Sequence, residues 1–278
     1  MAEKPIFSII TVCLNAENKI ENTILSVINQ SFEKYEFIII DGGSNDKTID
    51  LIKKYKNNVG IFISEKDNGI YDAMNKGVIV SNGKYLFFLN AGDLFYDNNV
   101  LRNINDFLTI NSDISLLYGK VEYFNGEHNF SKITGGKINF NVFWKGMPIC
   151  HQTCFFHKKL FEKLGLYDLN YRILADYEFL YRYFISKNNY GFNDSFIDLV
   201  ISKFKLDGIN IQNNLKSIKE VELINKKYIK LDYKKRIYYK LLRFEYIFKN
   251  IIRKNPRFYY FLANLKNRLE EILHKKKL

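Results

Sequence analysis

Amide and carboxylate side chains follow four hydrophobic segments of the sequence, at the point where each segment ends. Asn15 follows the first segment, Asp41 ends the second, Asp67 comes after the third, and Asn90 and Asp93 come after the fourth. Carboxylates that share one edge repel one another unless a cation or hydrogen-bond donors compensate. A divalent metal ion carrying a nucleotide diphosphate would supply the compensation. The pattern therefore predicts a site for these two ligands, provided that the fold brings the segments together.

The elements that would position these side chains are strands alternating with helices. Hydrophobic runs predict strands at residues 6–12, 36–40, 59–64 and 85–89. Helical spacing predicts helices at 19–28, from a cap at Ser44 or Asn45 to about 55, and at 71–80. Strands separated by helices in this way form βαβ units, hence a parallel sheet with helices on both faces. Ligands of such sheets bind beyond the carboxyl ends of the strands, where the polar residues stand.

Two common phosphate-binding motifs are missing from the sequence. After the first predicted strand the chain reads Cys13-Leu14-Asn15-Ala16-Glu17, which is not the glycine-rich fingerprint of dinucleotide-binding folds. No G-x-x-x-x-G-K-[ST] sequence occurs either, and this excludes a P-loop. We therefore expect phosphates to be neutralised through a metal ion and not by a glycine-rich cradle.

Several short motifs occur in a characteristic order along the first two hundred residues. They are SIITV at 8–12, DGGSNDKT at 41–48, EKDNGIYDAMNKG at 65–77, GKY at 83–85, LNAGD at 89–93 and ADYEFLYR at 175–182. Together they resemble the inverting, nucleotide-sugar-dependent glycosyltransferases of family 2, over about residues 6–210. The resemblance implies an α/β chain with the GT-A fold, a Rossmann-like, mostly parallel sheet flanked by helices.

For the donor, the resemblance implies five nucleotide-binding residues. They are Thr11, Asn15, Asp41, Asp67 and Asn75. Asp41 is similar to the family's carboxylate that accepts the N3–H of uracil. A carboxylate suits this N–H because a charged acceptor strengthens the hydrogen bond. This implies a UDP-sugar donor. For Asp67 the alternative is a structural role, capping the helix that follows.

For the chemistry, the resemblance implies a metal ligand and a general base. Asp93 resembles the metal ligand of the family's D-x-D signature, with Mn²⁺ or Mg²⁺ as the cofactor and Asn90 in a supporting role. The sequence departs from the pattern here, since it supplies one carboxylate where relatives often have more. Asp176 resembles the general base that deprotonates the acceptor hydroxyl, although Ala175 stands where relatives often have Glu. The alternative for Asp176 is a helix N-cap.

The acceptor side is the least readable part of the sequence. Five residues are candidates for contacts with the acceptor: Trp144, His151, Gln152, Glu178 and Arg182. Each has a structural alternative, since a single histidine is more often part of the core and Trp144 is as suited to packing as to stacking on a sugar. Cys150, His151 and Cys154 supply too few ligands for a zinc site.

The positive charge of the chain is concentrated near its C-terminus. The net charge is +12, and residues 205–278 hold 20 basic and 7 acidic residues, a net of +13. Apolar residues recur at helical spacing from Ile237 to Ile251, and again from Phe258 to Leu273 after Pro256. We expect a catalytic domain at 1–210 and a basic amphipathic helical extension at 211–278. Such helices fit an anionic membrane surface, or alternatively pack on the main domain or on a second subunit in a homodimer.

Composition bounds the remaining classes of function. Three cysteines are too few for a disulfide framework, and neither a secretory signal nor an apolar run of membrane-spanning length occurs. We therefore expect a cytoplasmic enzyme, peripheral at the inner face of the membrane, that adds a sugar to a glycan or lipid-linked acceptor of a bacterial surface polysaccharide. The alternative is a basic nucleic-acid- or membrane-binding scaffold with a degenerate α/β domain. The acidic cluster disfavours nucleic acid as a partner. A third alternative is a metal-dependent nucleotidyltransferase, but such an enzyme would need a glycine-rich basic loop after the first strand, and this loop is missing.

Overall fold

The computed structural model describes residues 4–125, 130–205, 214–229 and 233–254. The chain divides into two compact units, Met1–Ile211 and Gln212–Leu278. The first unit is built on one large sheet, and the described part of the second unit consists of two helices. The basic helix predicted from Phe258 to Leu273 lies outside the described residues.

The first unit alternates strands and helices along its N-terminal half and then adds strands to complete the sheet. The elements are β1 (Phe7–Cys13), α1 (Ile20–Ile28), β2 (Tyr35–Asp41), α2 (Thr48–Lys54), β3 (Ile61–Ser64), α3 (Ile70–Val80), β4 (Tyr85–Phe88), β5 (Leu94–Phe95), α4 (Val100–Ile110), β6 (Leu116–Asn125), β7 (Phe130–Thr134), β8 (Cys154–His157), α5 (Lys159–Leu164), α6 (Ala175–Tyr190) and β9 (Asp194–Lys205). Two 3₁₀ helices, Phe140–Lys145 and His151–Thr153, precede β8.

The sheet is parallel in its first half and mixed in its second. The strand order is β3-β2-β1-β4-β8-β6-β9-β5, with β7 paired to β6. Strands β3, β2, β1 and β4 run parallel, and β8 runs antiparallel between β4 and β6. Cys13 pairs with Asp41, and Asp41 pairs with Ser64. The carboxyl ends of β1, β2 and β3 are therefore level, and the loops that follow them share one edge. The predicted α/β fold with a mostly parallel N-terminal sheet is confirmed.

The hydrophobic core explains why the first strands form where they do. All seven residues of β1 and all four of β4 are buried, because helices cover both faces of this part of the sheet. Helix α3 lies close to β1 at Gly77, where an added Cβ would be 2.4 Å from Cγ2 of Ile10. This close approach brings the start of α3 to the strand ends.

Helix α2 begins later than predicted. It starts at Thr48 and neither Ser44 nor Asn45 caps it, because the Ser44 hydroxyl donates to Asp41. Near the start of the helix, Oδ1 of Asp46 instead accepts the backbone N–H of Thr48 at 2.9 Å. The residues between β2 and α2 thus form a structured loop.

The second unit pairs helices α7 (Asn214–Tyr228) and α8 (Tyr233–Lys254). Asn225 Nδ2 of α7 donates to the Tyr239 hydroxyl of α8 at 2.8 Å. Glu222 forms an ion pair with Lys226 within α7 and with Arg243 of α8. The bond between the buried Asn225 and Tyr239 and the ion pair of Glu222 with Arg243 join the two helices.

Helix α8 also carries an exposed apolar stripe. Ile237, Leu241 and Phe244 follow one another at spacings of four and three residues and are 37%, 61% and 67% exposed. No helix in the described ranges is long and apolar enough to cross a membrane.

Candidate active site

Asp41, at the end of β2, is enclosed by hydrogen-bond donors of the protein itself. Its Oδ2 accepts the Ser64 hydroxyl at 2.7 Å and the backbone N–H groups of Ser44 and Gly43 at 3.0 and 3.2 Å. Its Oδ1 accepts the Ser44 hydroxyl and the Cys13 thiol. Burial raises the pKa of Asp41, but the hydrogen bonds outweigh burial and hold the pKa below its ordinary value. Asp41 has no exposed surface, and its contact with the uracil stays a prediction.

The loop after β1 is tied to the loop after β2 by reciprocal hydrogen bonds. Asn15, which has a left-handed φ of 48°, donates its backbone N–H to Ser44 Oγ at 2.7 Å and accepts the N–H of Asn45 at 2.9 Å. Glu17 Oε2 accepts the N–H of Lys47 at 3.0 Å. Asn15 is therefore at the predicted edge, and its side-chain oxygen shapes the loop.

Asp67 occupies space that an ordinary residue at position 42 would fill. A Cβ added to Gly42 would be 2.3 Å from Oδ2 of Asp67. The other oxygen, Oδ1, accepts the N–H of Gly69 at 2.8 Å, in the turn before α3. Asp67 is half-buried, and its bond to Gly69 forms a local turn rather than a cap on the helix, whose N-cap residue is Gly69.

Thr11 and Asn75 lie inside the protein and not at the edge of the sheet. The Thr11 hydroxyl is fully buried and donates to the Leu89 carbonyl at 2.7 Å, joining β1 to the end of β4. Asn75 Nδ2 donates to the Tyr167 carbonyl at 3.0 Å, and Asn75 Oδ1 accepts the backbone N–H of Tyr167 at 2.9 Å. Both side chains thus have buried partners within the protein, and their contacts with the nucleotide stay predictions.

Asp93 and Asn90 follow β4 at the same end of the sheet. Asp93 is 6% exposed, and its backbone carbonyl accepts the Thr23 hydroxyl at 2.9 Å. Asn90 Oδ1 is buried and has no hydrogen-bond donor among the described residues. An unpaired buried oxygen is costly, and a hard cation would satisfy it.

The residues at this position fit a divalent cation that brings most of its own ligands. No group of three or more His, Cys, Asp and Glu side chains in the described part of the chain could hold a metal ion alone. Asp93 and Asn90 supply oxygen donors of the kind that Mg²⁺ and Mn²⁺ take, and the oxygens of a diphosphate and water would complete the shell.

Asp176 lies in the first turn of α6, where Tyr71 of α3 reaches it. The Tyr71 hydroxyl is 2.9 Å from Asp176 Oδ1 and 2.7 Å from the Ile173 carbonyl, so its single proton serves two acceptors. Burial, and then the Asp176 charge, raise the pKa of Tyr71 well above its ordinary value, which keeps the phenol protonated as a donor. The helix begins at Ala175 with Leu174 at the N-cap position, so Asp176 does not cap it.

Cys150 lies just before the 3₁₀ helix that begins at His151. Burial raises the pKa of its thiol to about 12, and the charges of Asp93 and Asp176 act in the same direction.

His151 is part of an aromatic cluster. It is 4% exposed, its Nε2 is 2.7 Å from the Tyr167 hydroxyl, and its ring contacts Phe88 and Phe156. Burial lowers the pKa of the imidazole to about 3. The ring is enclosed, as its structural alternative expects, and its contact with the acceptor stays a prediction.

Glu178 and Arg182 form a structural ion pair within α6. Glu178 is fully buried and accepts Arg182 Nε at 2.8 Å. The guanidinium also donates to the carbonyls of Leu164, Gly165 and Leu166, at the end of α5. The pair fastens this segment to α6, and contacts of Glu178 and Arg182 with the acceptor stay predictions.

The two remaining acceptor candidates lie in or beside the 3₁₀ helices. Gln152 is half-buried, and its Oε1 accepts the Cys150 thiol at 3.1 Å. Trp144 is half-buried, with Lys145 Nζ 5.7 Å from the centre of its ring. Their predicted roles stay predictions.

Sequence reasoning missed three features of this site. Tyr71, Gly42 and Cys150 lie within or beside the quoted motifs, but their roles depend on contacts between distant segments. The signal for Gly42 was present, since two glycines directly after a strand-ending carboxylate leave room for a neighbouring side chain.

The sequence and the fold were compared with those of known proteins. The family model described as glycosyl transferase family 2 matches residues 8–165. A PGL/p-HBAD biosynthesis glycosyltransferase of Mycobacterium bovis is 34% identical over 183 residues, which cover 65% of this chain and 70% of that protein. An uncharacterized glycosyltransferase of Mycobacterium tuberculosis is 32% identical over 191 residues, covering 66% and 70%.

Solved structures share the fold at low sequence identity. TarS 1–349 of S. aureus in complex with UDP superposes with a TM-score of 0.60 at 17% identity, covering 82% of this chain and 68% of that chain. The mannosyltransferase PcManGT of Pyrobaculum calidifontis, in complex with GDP-Man and Mn²⁺, gives a TM-score of 0.59 at 15% identity, covering 81% and 64%.

These comparisons agree with the sheet order, the level strand ends and the motifs that occupy them. The GT-A fold and the enzyme class expected from the sequence are confirmed. The chain belongs to glycosyltransferase family 2.

Proposed function

We propose that this glycosyltransferase moves a sugar from a UDP-sugar to a glycan or lipid-linked acceptor of a bacterial surface polysaccharide, with inversion at the anomeric carbon. Asp176 is the general base and Asp93 helps to hold a divalent cation. The observation that carries the proposal is the buried Oδ1 of Asn90, which has no hydrogen-bond donor among the described residues and stands three positions before Asp93.

The contacts of Asp176 suit a group that removes one proton. In an inverting transfer the acceptor hydroxyl loses its proton while its oxygen attacks the anomeric carbon, and no covalent intermediate is needed. The Tyr71 hydroxyl, 2.9 Å from Oδ1, holds the carboxylate in one orientation. Asp176 would accept the proton, and the negative charge would leave with the nucleotide diphosphate.

The unpaired oxygen of Asn90 supports a cation near Asp93. A bound Mn²⁺ or Mg²⁺ supplies a Lewis acid that offsets the charge on the departing diphosphate. Asp93 and Asn90 would hold the ion, and the donor would bring further oxygens. The metal ion should therefore bind weakly in the absence of a nucleotide.

The donor class follows from the resemblance and from related folds. TarS 1–349 has been solved with UDP and with UDP-GlcNAc, and PcManGT with GDP-Man. These ligands belong to those proteins, and they make UDP- and GDP-sugars the donors to test first.

A donor-hydrolysis screen tests the proposal. We expect one class of nucleotide-sugar to release its diphosphate in Mn²⁺ or Mg²⁺, and chelation of the metal to stop release. Asp93→Ala should abolish release, and Asp176→Asn should slow it by at least about 100-fold with nucleotide binding retained. The matched control is Asp106→Asn, which changes an exposed carboxylate of α4.

The anomer of the sugar released early in the reaction tests inversion. An α-linked donor should release the β-anomer, as followed by NMR before mutarotation. Release of the α-anomer, wild-type rates in Asp176→Asn, or no release from any nucleotide-sugar would refute the proposal.

We also propose that the second unit binds an anionic membrane surface at the cytoplasmic face. Its support is the exposed stripe of Ile237, Leu241 and Phe244, beside the exposed Lys240 and Arg236 of the same helix. Apolar side chains would enter the interface while the cationic groups face anionic headgroups. A lipid-linked acceptor would then lie in the same surface.

Vesicle sedimentation tests this second proposal. The protein should bind phosphatidylglycerol vesicles, should not bind phosphatidylcholine vesicles, and should be released by salt. The double variant Leu241→Gln/Phe244→Gln should lose binding. The control Ile110→Gln, which changes an 84% exposed residue of α4, should retain it. If the double variant instead dissociates a dimer in solution and vesicles are not bound, the stripe packs on a second copy and the proposal is wrong.

A further inference from the structure

The two helices of the second unit line a small cleft. It has a volume of about 180 Å³ and is lined by Lys219, Glu222, Leu223 and Lys226 of α7 and by Arg243 of α8. We propose that this cleft binds a phosphate or diphosphate group. The site takes no part in the glycosyl transfer proposed above, and its residues are not those of the exposed apolar stripe of α8.

The side chains that line the cleft carry an excess of positive charge. Lys219, Lys226 and Arg243 supply three positive charges and Glu222 supplies one negative charge, which leaves a net charge of +2. The two lysines lie seven positions apart, about two helical turns, and so share one face of α7. Cations that converge on a concave surface attract an anion more strongly than the same cations spread apart.

Glu222 holds two of these cations at the cleft. Its carboxylate pairs with Lys226 at 3.0 Å and with Arg243 from the other helix. Lys219 is exposed and has no carboxylate partner among the described residues. The single carboxylate therefore orients Lys226 and Arg243 and leaves the cleft cationic.

One buried donor of the cleft lacks an acceptor. The Nε of Arg243 is buried and has no hydrogen-bond partner among the described residues, although Nη2 of the same guanidinium is paired with Glu222. An unsatisfied buried donor is costly, and more so when it belongs to a charged group. An oxygen atom of a ligand that reaches the base of the cleft would satisfy it.

A phosphate group suits these donors better than a carboxylate does. Its oxygens point in several directions and can accept from cations of both helices, whereas a carboxylate presents two oxygens in one plane. Arginine binds phosphate through directed hydrogen bonds and lysine binds it as a point charge. The volume equals that of about six water molecules at ~30 Å³ each, which leaves room for a phosphate or diphosphate with bound water.

Calorimetry of the full chain with pyrophosphate tests the site, with EDTA present so that no metal ion brings the anion to Asp93. The wild-type chain should bind one pyrophosphate. Arg243→Gln and the double variant Lys219→Gln/Lys226→Gln should each weaken binding at least about tenfold, because charge-assisted hydrogen bonds are lost. The matched control Arg236→Gln/Lys240→Gln removes two exposed cations of α8 outside the cleft and should bind within about twofold of the wild-type chain.

A variant of Glu222 gives the opposite result. Glu222→Gln keeps the shape of the side chain and removes the negative charge of the lining, so pyrophosphate binding should tighten about fivefold. Because Arg243 also joins the two helices, Arg243→Gln can loosen their packing. The double variant Lys219→Gln/Lys226→Gln changes exposed side chains and keeps the test decisive.

Two sources present this chemistry, the headgroup of an anionic lipid and a soluble phosphate compound. If the cleft takes a lipid headgroup, pyrophosphate should displace the wild-type chain from vesicles that contain phosphatidic acid, and sodium chloride of equal ionic strength should not. If pyrophosphate binds the chain but does not displace it, the source is a soluble compound. The stripe variant Leu241→Gln/Phe244→Gln should bind pyrophosphate as the wild-type chain does.

The outcomes separate this site from the functions proposed above. Absence of pyrophosphate binding, or binding that the control double variant weakens as much as the cleft double variant, overturns the site. Pyrophosphate binding that Asp93→Ala abolishes places the anion at the donor site and also overturns it. A chain that binds pyrophosphate in the cleft but binds no vesicles, or releases no diphosphate from a nucleotide-sugar, overturns the membrane proposal or the glycosyl transfer and leaves the cleft standing.

Discussion

Acidification from pH 7 to pH 5 is expected to lower the free energy of unfolding by about 2 kcal/mol through His151 alone. Burial lowers the pKa of this imidazole to about 3 in the folded chain, from an ordinary value of 6.5. Between these two values the unfolded chain binds a proton that the folded chain does not. Stability is therefore complete above about pH 6.5 and falls as the pH drops, by ~1.4 kcal/mol per unit. The interval from 6.5 to 5 gives about 2 kcal/mol.

Urea unfolding at the two pH values measures this effect in the wild-type chain and in His151→Gln. The glutamine keeps a polar group near the Tyr167 hydroxyl but cannot take up a proton. We expect the loss of stability on acidification to be smaller in the variant by about 2 kcal/mol. His157, whose pKa burial lowers to about 4, contributes equally in both proteins.

An NMR titration of the folded protein provides a direct check. The His151 ring should stay neutral down to about pH 4, because charging it would place a cation in the aromatic cluster. A ring that titrates near pH 6.5 in the folded state would refute the reasoning. Equal losses of stability in the wild-type and variant chains would refute it as well.

Two further predictions concern the start of α3 and helix α6. Tyr71→Phe should slow transfer about tenfold at unchanged donor KM and shift the acid limb of the pH–rate profile, because Asp176 loses a hydrogen bond while the packing of the ring is kept. A pH–rate profile that superimposes on that of the wild-type chain would contradict the contact between Tyr71 and Asp176. Glu178→Gln should lower the free energy of unfolding by about 3 kcal/mol, since the half-buried Arg182 loses its counter-ion. Urea unfolding measures the loss, and the conservative Glu178→Asp should recover part of it; unchanged stability in Glu178→Gln would mean that the pair is not structural.

The first half of the sheet could be predicted because each of its strands and helices is recognisable from a short stretch of sequence. Strands β1, β2 and β4 are short apolar runs, and the helices between them have apolar residues on one face. Once four strands are parallel, the residues that follow them must share one edge. This places Asp41, Asp67 and Asp93 correctly from the sequence alone.

The second half of the sheet depends on pairings between distant segments. Strand β6 at residues 116–125 pairs in parallel with β9 at 194–205, and β8 lies between β4 and β6. Neither pairing follows from the composition of one strand. The residues predicted to contact the acceptor lie in this part of the chain, which is why they were the least readable.

Individual side chains in the motifs were harder to assign than the motifs themselves. Thr11, Asn75 and His151 occupy the expected segments, but each has a buried partner from a remote part of the chain. A polar residue in a motif can hold the scaffold or contact a ligand, and residue type does not distinguish the two. Hydrogen-bond partners and burial add the information that residue type lacks.

The short segment from Asp67 to Tyr71 has a consequence for redesign. One end carries a carboxylate that lies over Gly42, and the other end carries the phenol that touches Asp176. Any insertion, deletion or backbone shift introduced in this turn would displace the carboxylate from Gly42 and the phenol from its partner on α6 together. Redesign of this edge of the sheet should therefore exchange side chains and leave the length of the turn intact.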